Sequence, residues 1–375
     1  MEDKSLKPKQ GNGSLILKKP VWAQYASFLV CVMIMLVYPI WKEHKIFGIS
    51  LPDDEGETIE TIRTTDTGYI INTTEIGKDI IGYVGTTPVE ITVSGGKIQK
   101  IIPLPNRETP EFFGAIRNSN LFESLDGKSV EEGLNTKIDG VSGATYTSKA
   151  IIGNIKTGLA YALDEKNAKE IGQAADSEKL SLKWYITLII IVAGGVIPFY
   201  IKDKRYRVLQ LILNVVLLGF WGGTFISYSI MTSFATYGIK SVALLPVALM
   251  LIAAFIYPFI GKKDYYCLWM CPYGSAQELL GKCFKFKVKL KPNLIKWLNY
   301  FRQALWFVLM WLLWTGLWFD WMGYEPFAAF FFTDASVVTL SIAGAFLILS
   351  FIVQRPYCRF VCPTGSLFKY SEGNY

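Results

Sequence analysis

The sequence predicts an α-helical integral membrane protein of about six spans, with an extracytoplasmic α+β domain inserted between spans 1 and 2. Three observations predict it. The 375 residues are 51% hydrophobic and 15% aromatic, and the mean hydropathy is +0.30, which is too apolar for an ordinary soluble domain. Six apolar runs are separated by polar connectors. Between the first two runs lies one long stretch in which charges, glycine and threonine return. The formal net charge is +7, but its basic residues gather beside the apolar runs, where they orient spans. Nucleic acid is therefore excluded as a partner. A single histidine, His44, excludes a haem held by two histidines of this chain.

Residues 1–20 form a basic tail with Lys4, Lys7, Lys9, Lys18 and Lys19. Residues 21–41 follow as an apolar anchor, and VYPIWKEHK offers no small-residue cleavage site, so the anchor is expected to stay uncleaved. Residues 45–180 read as the soluble domain, with β-type runs VEITV and KIQKIIPL flanking the turn SGG. Residues 184–375 hold five more runs: Trp184 to Ile201, Leu209 to Thr232, Val242 to Ile260, Trp297 to Trp318 and Val337 to Val353. Lys202, Lys204, Arg205, Arg207, Lys262, Lys263, Arg355 and Arg359 fall on one side, while the opposite connectors carry one lysine between them. That asymmetry predicts a multi-pass protein of the cell membrane with both termini cytoplasmic and the soluble domain outside. KCFKFKVKLK reads either as a stretch on anionic lipid headgroups or as a solvated basic loop. Arg302 is explained by snorkelling near the start of the fifth span.

Two copies of one pattern stand out: Cys267-x-x-x-Cys271-Pro-x-Gly-Ser and Cys358-x-x-x-Cys362-Pro-x-Gly-Ser, each preceded by tyrosine. Both follow an even-numbered span and so are expected at the cytoplasmic face. If the preceding helix persists, cysteines four apart share one face, and two pairs supply the four sulfurs of a 4Fe-4S cluster or a tetrahedral metal site. Spacing does not choose between iron–sulfur and zinc. Disulfides are disfavoured on a reducing side. Cys31, inside the first span, and Cys283 read as bystanders.

In the soluble domain, Asp139-x-x-Ser142-Gly143-Ala144-Thr145 is a small-residue turn leading into the helical pattern TSKAIIGNIKTGLAYAL. By itself such a turn is a helix cap or a phosphate cradle. The run Asp-x-x-Ser-Gly-Ala-Thr resembles the flavinylation motif of the FMN-binding domains of NqrC and RnfG subunits, and Glu108-Thr109-Pro110 resembles their ETP element. The resemblance implies FMN joined by a phosphoester bond to Thr145 by a flavin transferase. It also implies that Asp139, Ser142, Gly143, Ala144, Glu108 and Thr109 belong to the cofactor site.

With six spans and two C-x3-C-P motifs added, the chain resembles NosR-like membrane flavoproteins, and among them the short PceC (RdhC) type of organohalide respiration. It differs from full-length NosR proteins in ending soon after Cys362, without their C-terminal ferredoxin domain. The resemblance implies an electron-transfer component rather than a stand-alone enzyme. It would pass electrons from quinol, menaquinol included, or from the cytoplasm to an external reductase or that reductase's membrane anchor. The alternative it carries is a redox-sensing regulatory or maturation role. One difficulty remains at this level: a hydrocarbon core of about 30 Å is too wide for one efficient electron step. WFVLMWLLWTGLWFDW as a quinone border and His44 as a proton exchanger are both weaker readings than interfacial packing.

Overall fold

The computed structural model describes residues 21–50, 60–163 and 182–373, apart from positions 66, 109, 142–143, 202, 240–241, 284–287, 289, 316–319 and 333–334. Helix α1 (Val21–Tyr38) leads through a π turn to His44, which takes the left-handed conformation with φ 47° and caps the turn. A two-stranded hairpin, β1 (Lys45–Ile46) and β2 (Ile49–Ser50), follows.

The α+β domain is an antiparallel meander of β3 (Ile62–Thr65), β4 (Gly68–Asn72), β5 (Val89–Ser94) and β6 (Lys97–Pro103) in chain order. The β5–β6 turn needs glycine, because Gly95 and Gly96 both have positive φ (58° and 74°). Along β5 burial alternates, so Val89, Ile91 and Val93 face the core while Glu90, Thr92 and Ser94 are half-buried. Short helices α2 (Pro110–Arg117) and α3 (Val130–Asn135) precede the long helix α4 (Thr145–Leu163). Ile151, Ile155 and Leu159 recur every fourth residue on α4 and are fully buried. Gly158 lets α4 close on the sheet, since a Cβ there would lie 3.0 Å from Ile91 Cδ1.

The remainder is helical: α5 (Leu182–Tyr200), α6 (Lys204–Leu213), α7 (Tyr228–Tyr237), α8 (Leu245–Ile256), α9 (Tyr265–Trp269), α10 (Pro272–Cys283), α11 (Pro292–Thr315), α12 (Val337–Leu349), α13 (Pro356–Phe360) and α14 (Pro363–Ser371). Among the described residues, two helices are long and apolar enough to cross a membrane, Trp22–Trp41 and Leu182–Tyr200. Trp297 to Trp318 lies largely within the unbroken 24-residue helix α11, but two other runs differ from uninterrupted spans. Leu209 to Thr232 is broken: α6 passes into a π segment over Asn214–Gly222, the chain turns at Gly223 with φ 58°, and α7 restarts behind the Ser227 cap. A Cβ at Gly219 would lie 2.6 Å from the Phe330 ring, so close packing there demands glycine. Val337 to Val353 is helical for 13 residues only, about 20 Å of rise, which is shorter than a hydrocarbon core. The stretch KCFKFKVKLK falls largely outside the described residues.

Helix α14 folds back along α1. A Cβ at Gly373 would lie 3.8 Å from Gln24 Cα, and Leu367 O accepts a weak hydrogen bond from Cys31 Sγ at 3.9 Å. Cys362, five residues before Leu367, therefore lies about 7 Å further along, beside the half of α1 that ends at Tyr38. Tyr38 in turn receives a hydrogen bond from Arg107 of the α+β domain.

Candidate functional site

The two cysteine motifs adopt one backbone design. In each, the first cysteine sits on a one-turn helix (α9 or α13), the helix breaks, and the second cysteine stands directly before a proline that opens the next helix (α10 or α14). The helix does not persist through the motif as the spacing suggests. A proline disfavours helical backbone at the residue before it, so Cys362 leaves the helix with ψ 114°. The rest of the repeated pattern now has a use. Cys271 Sγ accepts the Gly274 N–H at 3.3 Å and Cys362 Sγ accepts the Gly365 N–H at 3.2 Å. A Cβ at Gly274 would lie 2.9 Å from Cys267 O. Ser275 and Ser366 donate to the Cys271 and Cys362 carbonyls at 2.8 and 2.9 Å.

All four cysteines are free thiols, with Cys271 and Cys362 buried and Cys267 and Cys358 half-buried. Burial raises all four, and mutual repulsion adds to it at Cys267, Cys271 and Cys362; Cys271 is pushed up to about 12. Four such thiolates need a strongly cationic centre among them. Four cysteine thiols from two such turns are the donor set of a 4Fe-4S cluster, which Cys267, Cys271, Cys358 and Cys362 would hold.

Arg355 locks the motifs in register. It donates to the Cys267 carbonyl at 2.9 Å and to the Leu268 carbonyl at 3.4 Å, while its other contact is an ion pair with Glu278 of α10. Arg207 completes a two-pronged contact to Glu278 at 2.8 and 2.9 Å and lies over the Trp269 ring. In the second motif, buried Arg302 donates to Arg359 O at 3.2 Å, a role that snorkelling does not describe. Burial alone would raise Glu278, but Arg207, Arg355 and Lys282 outweigh it and hold the carboxyl down at about 2. Its stabilising effect is thus present above the ordinary glutamate value and lost as pH falls toward about 2. Glu278→Gln should lower unfolding free energy at pH 7 by on the order of 3 kcal/mol. That wild-type-minus-variant difference, from denaturant melts, should shrink between pH 4 and 2 (about the interval separating the two pKa values); a difference unchanged with pH would rule the ion-pair role out.

In the α+β domain, Thr145 is the first residue of α4, Ala144 is buried before it, and Asp139 is exposed. Thr109, Ser142 and Gly143 lie outside the described residues. Glu108 is buried and its carboxylate is fully engaged. It accepts the Tyr83, Val84 and Gly85 N–H groups at 3.1, 2.9 and 3.1 Å, and the Thr147 hydroxyl. Glu108 therefore clamps the 83–85 loop to the first turn of α4. Gly82 is needed beside it, as a Cβ there would lie 2.5 Å from Glu108 Oε1. Tyr83, Phe112 and Tyr146 form an aromatic wall at this end of α4, with ring centroids 4.7 and 6.3 Å apart. A helix N-terminus suits a phosphate and an aromatic wall suits a flat ring system, so these residues fit FMN.

The wall meets the helical part. Tyr83 Oη donates to Phe225 O at 3.5 Å, and the next residue, Ile226, donates its N–H to Tyr266 Oη at 2.9 Å, one residue before Cys267. Tyr228 Oη reaches Pro363 O at 3.4 Å, one residue after Cys362. Rings continue the path: Phe225 to Phe327 at 5.5 Å, Phe327 to Tyr273 at 6.2 Å, Tyr273 to Tyr357 at 5.5 Å. Sequence reasoning missed Tyr83, Phe225 and Tyr266; of these only the tyrosine before each first cysteine left a signal, by recurring in both copies.

Residues 82–160 match the FMN-binding domain family, and residues 242–291 and 336–373 match the 4Fe-4S binding domain family, one cysteine motif in each segment. The chain carries both domains. It is also similar to the putative electron transport protein YccM of Escherichia coli (strain K12), 26% identical over 133 residues, which are 32% of this chain and 37% of that one. The chain thus spans a little over a third of the length of the curated relative that it matches. No solved structure matches it. The two domains and this similarity support a flavin and iron–sulfur electron-transfer role.

Proposed function

We propose that this chain is a multi-pass membrane flavoprotein of the NosR-like kind. It passes electrons from quinol or the cytoplasmic side to an extracytoplasmic reductase, a reductive dehalogenase being the example its motifs suggest. When bound, FMN exchanges two electrons or one and a 4Fe-4S cluster exchanges one, so the pair can join a two-electron donor to a one-electron chain. The observation that carries the reading is the two-residue bridge, Phe225 and Ile226, between Tyr83 at the flavin wall and Tyr266 at the cysteine motif. Such a bridge supports an electron step shorter than a full bilayer thickness would impose. Glu108 and Thr147 hold the flavin turn in place, Thr145 is the attachment point, and Arg355 with Arg302 holds the cysteine-bearing turns.

A deletion strain carrying either the wild-type chain or Thr145→Val tests this. Wild type should restore quinol-driven electron delivery to the external reductase and show flavin fluorescence in a denaturing gel. Thr145→Val should do neither, with the reductase still made and secreted. Flavin retained by the variant, or disappearance of the reductase transcript on deletion, would refute the reading.

A further inference from the structure

A pocket of about 450 Å³ opens beside the second cysteine motif. Lys296, Asn299, Arg302 and Gln303 reach it from the first half of α11, Lys369 from α14, and Asp264 from the turn leading into the first motif. Three cations thus face one carboxylate. Arg302 is only 5% exposed; one of its terminal nitrogens holds Arg359 O, but its Nε has no hydrogen-bond partner. Asp264 Oδ1 is likewise buried and without one, its own N–H being given to Glu372 at 2.7 Å. Leaving a buried donor and a buried acceptor unfilled is unfavourable unless a ligand fills them.

The donors outnumber the acceptor and converge with two amide side chains, a pattern that matches an anion with a hydrogen-bond donor close to it. On the same helix Trp297, Tyr300 and Phe301 are exposed, at 62%, 69% and 44%, and Trp297 stacks on Phe301 with ring centroids 6.1 Å apart. Exposed aromatic side chains of this kind collect at headgroup depth in a bilayer. We propose that the pocket binds a phosphate ester bearing a hydroxyl or ammonium donor, supplied by the headgroup of a glycerophospholipid. The phosphate lies toward Arg302, Lys296 and Lys369, and the donor toward Asp264. Arg302 also donates to Arg359 O, in the short helix that carries Cys358.

The test uses the full chain in detergent, titrated with dioctanoyl phosphatidylglycerol, with dioctanoyl phosphatidylcholine, whose headgroup has no donor, and with inorganic phosphate. Binding is read by native mass spectrometry and thermal melting. Phosphatidylglycerol should bind at least tenfold more tightly than phosphatidylcholine and raise the melting temperature. Lys296→Gln combined with Lys369→Gln should weaken that binding at least tenfold while leaving iron per chain unchanged; both lysines are less buried than Arg302, so the fold is spared. Equal binding of the two lipids, or no effect of the double variant, would overturn the proposal. Saturable displacement of phosphatidylglycerol by inorganic phosphate would uphold the phosphate chemistry and overturn the lipid as its source.

Discussion

Cys362→Ser is expected to lower iron and acid-labile sulfide per purified chain by about tenfold or more, with loss of the corresponding visible and EPR signals. The substitution separates ligation from folding. Cys362 caps α14 by accepting the Gly365 N–H, and serine is among the best residues for that position, so the helix start survives. What is lost is the soft thiolate. Cys271→Ser should behave alike, because Cys271 has the same contact to Gly274. Cys31→Ser and Cys283→Ser serve as controls: one thiol packs against α14 and the other is exposed. Both variants should keep full iron. Unchanged iron in Cys362→Ser would remove the paired motifs as the ligand set, and with it the whole redox reading of the helical part.

Glu108→Ala is expected to destabilise the α+β domain by on the order of 3–5 kcal/mol, a large share of what holds such a domain together. Alanine leaves three buried N–H groups, of Tyr83, Val84 and Gly85, and the Thr147 hydroxyl without an acceptor. Glu108→Gln should lose less, since its amide oxygen still accepts while its NH2 faces a donor. Denaturant melts followed by the domain's tyrosine signals measure this, and flavin content should fall with stability because Thr147 lies two residues from Thr145. A melt of Glu108→Ala superimposable on wild type would show that the clamp contributes nothing.

Much of the chemistry was legible in the chain itself. The doubled cysteine pattern marked the candidate ligands, because the same cysteine, proline, glycine and serine positions recurring in two distant segments mark one shared task. The β-type runs and the long α4 followed from periodicity and from glycine at the β5–β6 turn. Glu108 stood out only by resemblance, whereas its contacts, which tie the 83–85 loop to the start of α4, come from the fold. Arg207 and Arg355 were read as charges that orient spans; Glu278, the partner that gives each a specific task, lies 71 and 77 residues away. The break at Gly223 hid inside an apolar run, where a pair of glycines does not by itself say whether a helix stops or merely packs closely.

By itself the sequence determined which chemistry the chain can hold, because ligand type, proline after cysteine and glycine at a tight turn are local properties of a few neighbouring residues. Tertiary structure alone decided where those sites lie relative to each other. Helix α14 runs back along α1 and carries Cys362 toward the Tyr38 end, and Tyr38 receives a hydrogen bond from Arg107 of the α+β domain. The reason is that depth along a helix is set by packing between segments hundreds of residues apart, such as Cys31 and Leu367, and no local spacing encodes it.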